Sequence, residues 1–368
     1  MKNFGLLKLR LMQSGVYISP EALKAREVAG GFLPGQAKTE ITLAFREDFF
    51  VRTFLNPDAK QSSRMEIRNG GILLFSGKEQ VKVDIVPPPA FMGQPGIDWS
   101  PVTHNVDLDG NCLNVFLRAE KSGGFNMTPE SVVSVIRAAF EEGVADLVQL
   151  NLDYFQEADR GFSRLAPLIK EIRKNFRTFI SLRGFPPKSH DTIDAIYASG
   201  VDLLNYPLEG FARSETSVTP SKLIVDALEY AAGVFPQGAV ATELSLGPAR
   251  RLKEKIDLMA GKGIIPRVKL DTGKKERANP PSQAAEVARS LTHAAQRNKL
   301  NLKWLYPSSY FVTPLDASFF TEDPKSARLA VRPLYQSKLG RAASEGFAAL
   351  RRKLRVRNIS DSFESAGL

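Results

Sequence analysis

The spacing of apolar positions changes near residue 100. Before that point apolar runs are short and broken by Gly, Pro and Asn. Glu40–Phe45, Phe49–Leu55 and Gly71–Phe75 read as strands behind a short helical pattern that ends near Gly15. Pro87-Pro88-Pro89, then Gly93 and Pro95-Gly96, punctuate the chain and set a boundary. Residues 1–100 therefore read as a small α+β module.

From about residue 104 one arrangement recurs. Thr128-Pro129 has a hydroxyl cap and a proline at the first helical position, and Val132, Ile136, Ala139 and Phe140 follow on one face. Gly143 stops that helix, and Val144–Leu152 is an apolar strand. Ile193, Ile196 and Tyr197 lead to Gly200 and the strand Val201–Tyr206; Leu252, Ile256 and Met259 lead to Gly263 and the strand Ile264–Leu270. Two more strands fit between: Thr178–Leu182, after a helix carrying Leu165, Leu168, Ile169 and Ile172, and Ala239–Leu246, after a helix opened by Thr219-Pro220. A last run, Leu300–Tyr306, reads as a further strand. Helices alternating with apolar strands imply parallel strands joined by right-handed crossovers. The fold class is α/β: a full or partial (β/α) barrel of the TIM type over 101–320, followed by a basic helical segment over 321–368.

In such barrels working residues lie at the C-terminal ends of the strands. That rule selects Asn151, Asp153, Arg183, Asn205, Glu209, Glu243, Ser245 and Lys269 as ligand-binding candidates, with Arg267 and Asp271 beside the last. Each alone is an ordinary strand-end residue; as a group they form a ligand-facing rim. Catalytic motifs are lacking. No phosphate-binding loop or dinucleotide fingerprint occurs, and His104, His190 and His293 are not spaced as a metal triad. Gly123-Gly124 before a helix reads as a loop.

Charge and cysteine usage narrow the class. The net charge is +10, concentrated between Lys338 and Arg357, where Glu345 is the lone acid. That segment reads as a solvated helix face more readily than as a nucleic-acid contact. The one cysteine, Cys112, precludes an intramolecular disulfide, and no stretch approaches 18 uncharged apolar residues. The N-terminal apolar run is interrupted by Lys8 and Arg10. The expectation is a cytoplasmic protein without a membrane span.

Three segments, MTPESVVSVIRAAFEEGVADLVQLNLD, IDAIYASGVDLLNYPLEG and ATELSLGPARRLKEKIDLMAGKGIIPRVKL, together resemble the radical S-adenosylmethionine superfamily, closest to its biotin-synthase-like and cofactor-assembly branches. LRLMQSGVYISPEAL is similar to the leader of some members, and the resemblance extends over about 104–315. It implies a barrel and a CxxxCxxC loop carrying an iron–sulfur cluster. The expected counterpart here is DGNCLNVFLRAEKSGGF, where Cys112 has no companion, and Leu150-Asn151-Leu152-Asp153 stands where a Gly-Gly-Glu turn is expected. The resemblance therefore implies a degenerate member with no cluster on its own cysteines and leaves S-adenosylmethionine binding unsupported. Such a chain is expected to act as a partner subunit for a cysteine-bearing relative or pathway protein, or to bind a small molecule at the barrel mouth. An independent enzyme using acid–base or metal chemistry through Glu209, Glu243 or Asp271, and a basic accessory protein contacting nucleic acid, are the alternatives.

Overall fold

A computed structural model describes residues 4–22, 40–46, 49–58, 63–68, 71–77, 79–86, 89–93, 105–120, 124–209, 221–269, 281–306, 308–309 and 311–316. The Pro-rich boundary, Gly123, Thr219-Pro220, Asp271, His104 and the basic segment 338–357 lie outside these residues in whole or part.

The first sheet has six strands: β1 (Val16–Ile18), β2 (Glu40–Arg46), β3 (Phe49–Phe54), β4 (Ser63–Arg68), β5 (Gly71–Ser76) and β6 (Glu79–Val86), in the order β1-β4-β5-β6-β2-β3. β1 and β4 are parallel and the other pairs antiparallel. A bridge between Val16 and Leu55, with Asn56 N donating to Val16 O at 2.9 Å, brings the end of β3 back to β1. The sheet thus curls upon itself. Alternate residues face inward: Ile41, Leu43, Val51, Met65, Leu74, Val81 and Val83 are buried. Helix α1 (Phe4–Ser14) packs on β3 and β4, and Thr53 Oγ1 donates to Leu11 O at 2.6 Å. β1, β4 and β6 are additional to the strands expected from sequence.

The second sheet has eight strands in strict chain order: β7 (Val106–Asp109), β8 (Cys112–Leu117), β9 (Leu147–Leu152), β10 (Phe179–Arg183), β11 (Leu203–Asn205), β12 (Val240–Ser245), β13 (Ile265–Lys269) and β14 (Phe311–Val312). β8 to β13 are mutually parallel, and the short β7 and β14 run antiparallel at the two edges. The crossovers are α2 (Pro129–Glu141), α3 (Phe162–Asn175), α4 (His190–Ser199), α5 (Ser221–Val234) and α6 (Ala249–Gly261); α7 (Pro281–Arg297) follows β13. Six consecutive βα units form a mixed α/β half-barrel.

Local sequence explains these elements. Thr128 caps α2, its hydroxyl accepting from Ser131 N at 3.2 Å. α2 buries Val132, Val135, Ile136 and Ala139, the larger of which contribute roughly 1.5–3 kcal/mol each. Gly200 ends α4 at φ +110°, and a Cβ there would stand 3.0 Å from Arg173 Nε. Arg173 needs that space: its guanidinium donates to Thr178 O and Gly200 O and pairs with Asp202, tying α3, β10 and the approach to β11 together.

Two expectations need correction. Leu300–Tyr306 is a turn rather than a strand; the last strand among the described residues is Phe311–Val312, where Val268 and Lys269 of β13 find partners. Cys112 does not lie in a loop. It opens β8, so the loop after the first parallel strand starts at Arg118 and holds no cysteine. The apolar alternation Leu113, Val115, Leu117, all buried, is what makes this segment a strand.

The edges of the second sheet meet at a seam of side chains. Asp109, at the end of β7, accepts from Ser308 Oγ at 2.6 Å, Ser309 N at 2.6 Å and Ser309 Oγ at 2.8 Å. Lys8 of α1, fully buried, donates to Ser308 O at 2.6 Å and Phe311 O at 3.1 Å and faces Asp316 at 3.6 Å. α1 therefore supports the first sheet with its apolar residues and the seam of the second with its one buried cation.

Candidate functional site

Parallel register stacks the inner residues of the half-barrel in rows. One row is Phe116, Asn151, Arg183, Asn205, Ala241 and Ile265 across β8 to β13. The row before it holds Asn114, Gln149, Ser181 and Leu203. The inner positions change character along β9 to β13: Leu147 to Gln149 to Asn151, Phe179 to Ser181 to Arg183, Leu203 to Asn205, Ala241 to Glu243, Ile265 to Arg267. The intervening residues, such as Val148, Leu150, Ile180, Leu182, Val240, Leu244 and Val268, are buried and apolar, as needed under the helices. A barrel interior that serves only as core is filled by branched apolar side chains. This one is apolar at the N-terminal ends of the strands and polar toward the C-terminal ends.

Arg183, Asn205 and Glu243 touch. Glu243 is 1% exposed, and Arg183 meets it bidentately, Nε to Oε1 and Nη2 to Oε2, both at 2.8 Å. Asn205 Nδ2 donates to the same Oε1 at 2.6 Å. Burial by itself raises the Glu243 carboxyl, but the Arg183 charge and hydrogen bonds, the Arg267 charge and the Asn205 amide outweigh it and hold the group below the ordinary glutamate range. It is an anion fixed in place.

Below this cluster the amides satisfy one another. Asn114 Oδ1 accepts from Gln149 Nε2 at 2.8 Å and Asn151 Nδ2 at 3.3 Å; Gln149 Nε2 also donates to Asn151 Oδ1 at 2.9 Å, and Ser181 Oγ donates to Gln149 Oε1 at 3.4 Å. A cavity of about 70 Å³ opens beside them. Asn114, Gln149, Ser181, Asn205, Arg267 and Trp304 form much of its polar wall, with Leu147, Leu203, Ala241 and Ile265 on the apolar side. Asp109, Cys112 and Ser308 bring the seam to the same space. Burial pushes the Cys112 thiol up, and the nearby Asp109 charge raises it further, so it stays protonated and unreactive.

The remaining candidates lie elsewhere on the rim. Glu209 Oε2 accepts from Ser245 N at 2.9 Å and Oε1 pairs with Lys255, so Glu209 and Ser245 form a second cluster. Asp153 Oδ1 accepts from Tyr154 N at 2.9 Å, and Lys269 is exposed at the end of β13. Of the eight sequence candidates, three interlock, Asn151 joins the amide row, and Asn205 alone lines the cavity. Asn114, Gln149, Ser181 and Trp304 escape a rule that looks only at strand ends. Polar residues at every second position inside otherwise apolar strands were the signal that could have found the first three. His190 opens α4, stacked on Tyr230 at 4.1 Å, and His293 lies in α7. Among the described residues no three His, Cys, Asp or Glu side chains gather as a metal site, and no helix is long and apolar enough to cross a membrane. Compared with protein-family models and with curated proteins, the chain matches none.

Proposed function

We propose that this chain is a ligand-binding barrel of the radical S-adenosylmethionine type without a cluster of its own. It holds a small polar molecule inside a partial TIM-type barrel for a protein that performs the chemistry, either a cysteine-bearing relative or a pathway protein. The observation that carries this reading is the cluster of half-buried Arg183 with buried Glu243 and Asn205, in which Asn205, 2% exposed, keeps its Oδ1 without a partner among the described residues. Buried polar groups are ordinarily paired, and leaving one acceptor bare costs roughly 1–3 kcal/mol. An acceptor left bare on the inner face of the half-barrel, in the wall of a cavity, is open to a donor from a ligand.

The acid–base alternative has weaker support. Glu243 is locked as an anion by Arg183 and is a poor base, Glu209 is ion-paired, and Cys112 is a buried neutral thiol. A single cysteine cannot hold a cluster alone, and a reducing, cytoplasmic setting fits a single cysteine.

The test is native mass spectrometry of the freshly purified full chain beside Ala241→Leu, whose larger side chain fills the cavity. The expected result is a low-mass molecule, up to one per chain, on the wild type and absent from the variant. Identical spectra of the two proteins would refute the reading.

A further inference from the structure

The groups around the inner cavity are unequally satisfied. Asn114, Gln149, Asn151 and Ser181 pair with one another, and Asp109 commits both oxygens to Ser308 and Ser309. Among the other lining residues, Arg267 Nε, Trp304 Nε1 and Asn205 Oδ1 are buried polar atoms with no hydrogen-bond partner among the described residues. The orientation of Asn205 is set by its neighbour. Glu243 Oε1 can only accept, so the atom 2.6 Å from it must be the amide nitrogen, and the oxygen is the one left over. These three atoms are two N–H donors and one acceptor.

Charge sharpens the match. Glu243 is answered bidentately by Arg183. Arg267 forms no ion pair among the described residues; its guanidinium carbon lies 4.3 Å from the centre of the Phe311 ring, and its Nε has no hydrogen-bond partner among those residues. A cation edge beside an indole N–H suits a carboxylate, and a bare amide oxygen suits a hydroxyl or amino donor. Asp109, the carboxylate on the opposite edge strand, is saturated, so an anion is favoured on the Arg267 side. The volume is about 70 Å³, more than one water requires, so the space suits a small molecule.

We infer that the inner cavity binds a small carboxylate bearing a neighbouring hydrogen-bond donor, with Arg267 Nε and Trp304 Nε1 holding the carboxylate and Asn205 Oδ1 accepting from the hydroxyl or amine. This rests on the reading of the barrel interior as a ligand site and goes beyond it by naming the ligand class.

Trp304 provides the readout. The chain has two tryptophans, Trp99 and Trp304, so Trp99→Phe leaves the one in the cavity wall as sole reporter. Full-length Trp99→Phe is titrated with glycolate, glycine and the neutral glycolamide, with and without Arg267→Gln. The expected result is a saturable emission change with glycolate or glycine, the better of the two identifying the donor as hydroxyl or amine. Glycolamide, and either carboxylate on Arg267→Gln, should bind about tenfold more weakly or worse. Circular dichroism checks that the variant folds; should it not, Arg267→Lys, which keeps the charge but loses the Nε edge, should still weaken the carboxylate. Equal affinity for glycolate and glycolamide, unaffected by either substitution, would overturn the carboxylate assignment and leave the ligand site standing. No saturable change with any of the three, together with identical native mass spectra for wild type and Ala241→Leu, would overturn both.

Discussion

The two sheets of this chain curl in similar ways and are filled differently. The six-stranded sheet returns to its own first strand and packs Leu43, Val51, Met65, Leu74 and Val83 inside, with α1 against it. Its few inner polar groups are settled: Ser63 pairs with Ser76, and Thr53 with the α1 backbone. The eight-stranded sheet has side-chain hydrogen bonds between Asp109 and Ser308 and Ser309 at its edges and carries Asn114, Gln149, Asn151, Ser181, Arg183, Asn205, Glu243 and Arg267 on its inner face. The contrast shows that curling a sheet does not dictate its contents. One interior maximises apolar contact; the other gives up apolar contact for directional groups.

The largest expected difference is in core truncations. Leu74→Ala in the first sheet should cost about 2–5 kcal/mol by urea denaturation, because the site is fully buried among apolar neighbours. Ser181→Ala in the second removes a single long hydrogen bond beside a cavity and should cost less than about 1.5 kcal/mol. Similar costs would erase the contrast. Next, Glu243→Ala strands Arg183 and the Asn205 amide and should cost about 3 kcal/mol, whereas Glu243→Gln keeps much of the geometry and should cost less.

Acid sharpens the comparison further. The Glu243 carboxyl titrates lower in the folded chain than in the unfolded one. It therefore contributes stability above the ordinary glutamate value of 4.5, and that contribution is lost as pH falls through the folded value. The wild type should lose stability below about pH 4.5 more steeply than Glu243→Gln; parallel acid limbs would remove Glu243 as the cause. The smallest effect is a rate. Native Cys112 should react with a thiol reagent more than about a hundredfold slower than the unfolded chain, since modification requires opening the strand. Equal rates would show that the folded chain leaves Cys112 accessible and reactive.

Much of the second sheet is legible in the chain. Thr128-Pro129, Gly143, Gly200 and Gly263 mark helix starts and stops through local backbone chemistry, and the strands that follow are apolar on the face under the helices. β8 hides because its single cysteine draws attention as chemistry, while Leu113, Val115 and Leu117 mark it as a strand. β14 hides because two residues are too few to show periodicity. The rim was half visible. Strand ends point to Arg183, Asn205 and Glu243, but which of eight polar residues meet depends on the stagger between strands. Trp304 is invisible to strand logic because a turn brings it to the cavity. Lys8 reads as an interruption of an apolar helix, and only the distant seam explains its burial.

The central claim is that the polar interior exists for a ligand and not for stability. Replacing Arg183, Asn205 and Glu243 together by Met, Leu and Met removes every unpaired or ionic group of the cluster while keeping its volume. Apolar replacement of buried ion pairs is often neutral or stabilising by about 1–4 kcal/mol. The decisive measurement is the urea midpoint of this triple variant against the wild type. The account predicts a midpoint at or above that of the wild type, and a midpoint lowered by the equivalent of several kcal/mol would contradict it, making the cluster part of the frame and not part of a site.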